Sequence, residues 1–89
     1  MDSEAFVKAV EERLLPINPI IEFAIKRQLY VVRADRRNMT PEQAAQFIEK
    51  MSGALELFVG PTKARQEREF MINVLRKAAP GFSIRNDLS

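Results

Sequence analysis

The sequence predicts an all-α, compact, bundle-like domain of four helices. Three observations carry that reading. Apolar residues recur at helical spacing in four successive segments. Proline and glycine punctuate the boundaries at Pro16 and Pro19, at Thr40-Pro41, at Gly60-Pro61 and at Pro80-Gly81. The connections between segments are short, which makes consecutive helices antiparallel neighbours. The helices are expected near 3–15, 19–36, 41–59 and 61–79, with residues 1–81 as a single domain and 82–89 as a tail.

In the first segment Phe6, Val7, Val10 and Leu14 fall within about 100° of one another on a helical wheel. Asp2 and Ser3 are suitable N-caps, Glu4 suits the positive end of the helix dipole, and Pro16 stops the helix. The second segment, from Pro19 to Arg37 with Asn18 as its cap, carries an apolar arc covering roughly 260° of the wheel. That arc is broken only by Arg27, Gln28 and Asp35. A helix so apolar needs neighbours on several sides, so the second helix is expected to be central and the most buried. Its length approaches a membrane thickness, but Glu22, Lys26, Arg27, Arg33 and Asp35 put too many charges in lipid for a span.

Thr40, Pro41 and Gln43 form a capping box, the clearest local signal in the chain. The helix it opens gathers Ala44, Phe47, Ile48, Met51, Ala54, Leu55 and Phe58 on one face. On the other, Glu42, Glu49 and Glu56 form a ridge that reads as solvated. Gly60 is expected to end this helix and Pro61 to open the fourth. The second half of the fourth buries Phe70, Met71, Val74, Leu75 and Ala78, while its first two turns offer only Ala64 to a core and are expected to project. Phe82, Ile84 and Leu88 are candidate anchors in the tail.

Composition narrows function mainly by exclusion. At 89 residues one core is barely sufficient, and self-association relieves that shortage. Apolar residues at 46% and charged residues at 29% are globular values, which argues against disorder. Without cysteine there is no disulfide, thiolate metal site or cysteine nucleophile. Lack of histidine removes the usual neutral-pH proton shuttle and the commonest metal ligand. The carboxylate pairs Glu11 with Glu12 and Glu67 with Glu69 lie on polar stretches with no sign of burial, and the three glycines are scattered. No catalytic residue, cofactor or metal is therefore assigned. The apolar run after Met1 is broken by Lys8, Glu11, Glu12 and Arg13, so a cytoplasmic location is expected.

The net charge of +2 is too small to imply a polyanion partner. Its distribution is more telling, because acids outnumber bases in the first and third helices and bases outnumber acids in the second and fourth. Antiparallel packing sets these against one another, so much of the basic charge is expected to be matched internally.

Two function classes follow. The favoured one is a non-enzymatic interaction or adaptor module that self-associates, as a homodimer, through surplus apolar surface, with Phe23, Tyr30, Leu57 and Ile72 as interface candidates. The alternative is a helix-turn-helix-like nucleic-acid-binding protein. It would use Lys63, Arg65, Gln66 and Arg68 at the start of the fourth helix, with backbone contacts from Arg33, Arg36 and Arg37. Against it, the preceding helix is far longer than the first helix of such a motif, and Glu67 and Glu69 interrupt the basic surface.

Overall fold

Asp2 starts the first helix, its carboxylate accepting the Ala5 backbone N–H at 3.0 Å. This computed structural model describes residues 1–83; the tail positions Ile84 and Leu88 lie outside the described residues. Helix α1, Ser3–Leu14, turns Phe6, Val7, Val10 and Leu14 inward. Ser3 is buried as well: its hydroxyl donates to the Met39 carbonyl at 3.1 Å and accepts the Met39 N–H at 3.0 Å. That clasp holds the loop of residues 32–40 against the start of α1.

Helix α2, Ile21–Val31, is much shorter than its apolar pattern suggests. At its entry Ile21, Glu22 and Phe23 donate to Asn18, Pro19 and Ile20 in the tight i→i+3 pattern, and Asn18 Oδ1 accepts the Ile20 N–H. Its exit is set by Arg33, which adopts φ 59°. Arg33 N–H then reaches Tyr30 O, Ala34 N–H reaches Leu29 O, and the helix closes in a left-handed cap. The expected continuation to residue 36 is instead a loop with an isolated bridge between Asp35 and Asn38. The expectation that this helix is the most buried is overturned as well. It buries only Ile21, Ile25 and Leu29, whereas α1 buries five residues in a helix of similar length.

The four-helix expectation is corrected to three, since the expected third and fourth helices form one element, α3, Pro41–Ala78. It opens with the capping box, Thr40 Oγ1 accepting the Gln43 N–H and Gln43 Oε1 accepting the Thr40 N–H. Gly60, at φ 80° and ψ 168°, bends this helical run instead of ending it. A straight helix of 38 residues would extend about 57 Å, yet the longest dimension of the molecule is 31 Å. The run therefore doubles back at Gly60 into arms 41–59 and 61–78. Pro61 has no N–H to leave unpaired just past the bend.

The long element organises the core. Ala44, Phe47, Ile48, Met51 and Leu55 from one arm, and Ala64, Met71, Ile72 and Leu75 from the other, meet the buried faces of α1 and α2. Phe6 and Phe47 pack edge to face with centroids 6.1 Å apart. The start of the second arm does not project as expected, because both Ala64 and Glu67 are buried there. The radius of gyration, 11.9 Å, matches the ~12 Å of a closely packed chain of this length. Among the described residues there is no strand, and no helix is long and apolar enough to cross a membrane.

Candidate interaction surface

Helix α2 has two apolar faces. Ile21, Ile25 and Leu29 lie on the inner one, packed into the core. Ile20, Phe23, Tyr30 and Val31 fall roughly opposite them at about 100° per residue and are exposed, Phe23 at 67% and Tyr30 at 81%. Arg27 lies in the middle of that outer stripe, and a Glu22–Lys26 ion pair of 3.6 Å flanks it. The sequence shows why the arc is so wide: a short helix serves the core with one side only, and the rest of its apolar residues remain outside.

The interface candidates therefore separate. Phe23 and Tyr30 share the outer stripe, and Leu57, at 88% exposure, stands on α3 just before the bend. Ile72 is corrected, because at 1% exposure it belongs to the core of the single chain and has no surface to offer a partner.

The basic candidates are largely engaged with carboxylates. Arg36 clasps Glu11 through two hydrogen bonds of 2.7 and 3.0 Å, and Arg37 lies 3.8 Å from Glu4. The Arg36 hydrogen bonds hold the Glu11 carboxyl below its ordinary range against the opposing effect of burial. Lys63 pairs with Glu67 at 2.8 Å and Arg68 with Glu49 at 2.8 Å. Arg33, Arg65 and Gln66 are exposed. Arg65 lines an open cleft of about 390 Å³ between the two arms of α3, with Arg68 and the acids Glu49, Glu56 and Glu69. Carboxylates interleaved with the cations in this way oppose a phosphate backbone.

Sequence reasoning missed Glu67. It is wholly buried, with Arg13 Nε at 2.7 Å from Oε1 and Arg13 Nη2 at 3.3 Å from Oε2, while Lys63 reaches Oε2. Burial pushes its carboxyl up, and the hydrogen bonds from Arg13 and Lys63 outweigh that and hold it below the usual range. The Arg13 guanidinium also lies 4.8 Å over the Phe70 ring, so one side chain ties α1 to the second arm twice. A signal existed: Glu67 is in helical register with Ala64, Met71 and Leu75, and Lys63 lies one turn before it.

No protein-family model, curated protein or solved structure matches the chain.

Proposed function

We propose that this chain is a non-enzymatic protein-interaction module of the cytoplasm that self-associates, as a homodimer, through the outer face of α2. The observation that carries the reading is the exposure of Ile20, Phe23, Tyr30 and Val31 on one stripe of a helix whose opposite side is already packed. Aromatic residues around an arginine are the composition that interfaces favour.

A magnitude bounds the affinity. The two rings of one copy leave roughly 300 Å² exposed. Burying both pairs would gain at most ~15 kcal/mol at about 25 cal/mol per Å², against an association cost of about 4–15 kcal/mol. The difference, between about 0 and 11 kcal/mol, holds the dissociation constant no tighter than about 10 nM.

Light scattering across a concentration series tests this. The mass doubles in the micromolar range, and Phe23→Ser with Tyr30→Ser restores the monomer without lowering the melting temperature below that of the dilute wild-type monomer, since both residues are exposed. A wild-type monomer at 100 μM, or a dimer indifferent to the double substitution, overturns the reading.

A further inference from the structure

We infer that two copies of this chain pair through antiparallel α2 helices about a two-fold axis near residue 25, with Arg27 of each stacked on Phe23 of the other. This rests on the self-association proposed above and specifies its geometry. The stripe Ile20, Phe23, Arg27, Tyr30 has spacings of three, four and three, which read the same in both directions. Reversing the helix about position 25 brings Ile20 opposite Tyr30 and Phe23 opposite Arg27, so the surface is complementary to itself, as a two-fold interface requires.

The charges agree with the same register. Arg27 is an exposed cation on an otherwise apolar stripe, and reversal sets it over an exposed aromatic ring instead of another cation. The two Arg27 backbones stand four residues, about 6 Å, apart along the axis. At the rim, Lys26 of one copy comes within two residues of Glu22 of the other. Along the rim the order is then Glu22, Lys26, Lys26, Glu22, with each lysine next to a glutamate of the other copy. The protein already uses this chemistry internally, where the Arg13 guanidinium covers Phe70.

The chain has no cysteine, so single cysteines at Glu22, Lys26 and Arg33 can each be nitroxide-labelled cleanly. These positions are exposed and leave the stripe intact. In the antiparallel pair the two labels are offset along the axis by about 3 Å at residue 26 and about 9 Å at 22, and stand farthest apart at 33, just past the helix end. Inter-label distances should rise in that order, and Arg27→Ala should weaken dimerisation at least threefold. Equal distances at all three sites, or an unchanged dissociation constant in Arg27→Ala, overturn the inference. A dimer by light scattering with no dipolar coupling overturns it too, and leaves self-association standing through another face. A monomer at 100 μM removes both.

Discussion

Arg13 and Glu67 are 54 residues apart in sequence and make a two-pronged ion pair with its carboxylate end fully buried and its guanidinium end facing solvent. The folded-state pKa of Glu67 is lower than its ordinary value of 4.5, so the unfolded chain takes up the proton first. The contribution to stability is therefore complete above pH 4.5 and is lost as pH falls through the lower folded value. Glu11 acts in the same direction through Arg36. Urea midpoints should fall from pH 7 to pH 3, and Glu67→Met should reduce that fall. At pH 7 Glu67→Met should cost less than Glu67→Ala, because methionine fills the volume and the Arg13 and Lys63 charges left behind are nearly half exposed. Glu67→Ala, which leaves a cavity, should cost about 2–4 kcal/mol. An identical acid response in Glu67→Met would remove the pair from this account.

Arg33→Gly should stabilise the protein. An L-residue at φ 59° carries a strain of roughly 1 kcal/mol that glycine lacks, and the greater freedom of glycine in the unfolded chain returns only part of it. A gain of about 0.5 kcal/mol in chemical denaturation is expected, and a loss would show that the arginine side chain contributes more than the cap demands.

Two glycines in the same helical element should respond oppositely to alanine. Around both Gly60 and Gly53 an added Cβ meets nothing within 4 Å, so the backbone decides. At φ 80° and ψ 168° Gly60 occupies a region almost closed to other residues, and Gly60→Ala should cost about 1–3 kcal/mol. Gly53 is ordinary helix interior, where alanine gains roughly 0.8–1 kcal/mol. Thermal melts of the two variants side by side check the contrast.

Ser3→Ala should cost about 1–3 kcal/mol, because it removes one hydroxyl that serves both polar groups of buried Met39. Ser3→Thr, which retains the hydroxyl, separates this loss from a general intolerance of change at that site.

Much of the fold was legible wherever a local rule governed it. The Asp2 cap, the Thr40–Gln43 box and the inward positions of α1 follow from spacing and capping chemistry alone. Failures came where tertiary geometry overrode a local signal. Glycine normally marks a left-handed cap, so an arginine at that position gave no warning that α2 ends at Val31. Gly60-Pro61 looked like a stop because both residues disfavour helix, yet one glycine absorbs the whole reversal and leaves no loop. Glu67 looked solvated because its partner, Arg13, comes from the far end of the chain. The candidate surface was visible as an excess of apolar positions in α2. Which of them face outward depended on where the helix stopped.

Gln43 closes the capping box and also extends its side-chain amide back to the carbonyls of Val32 and Arg33, each at 3.2 Å. One residue thus ties the cap of α2 to the start of α3, so fraying of either end is expected to loosen the other. Amide protons on the two sides of the loop, Ala34 and Gln43, should therefore exchange with deuterium at matched rates, as a single cooperative opening. In Gln43→Ala they should uncouple, with the end of α2 opening first because it loses the hydrogen bonds on Val32 and Arg33 while α3 keeps the packing of Ala44, Phe47 and Ile48.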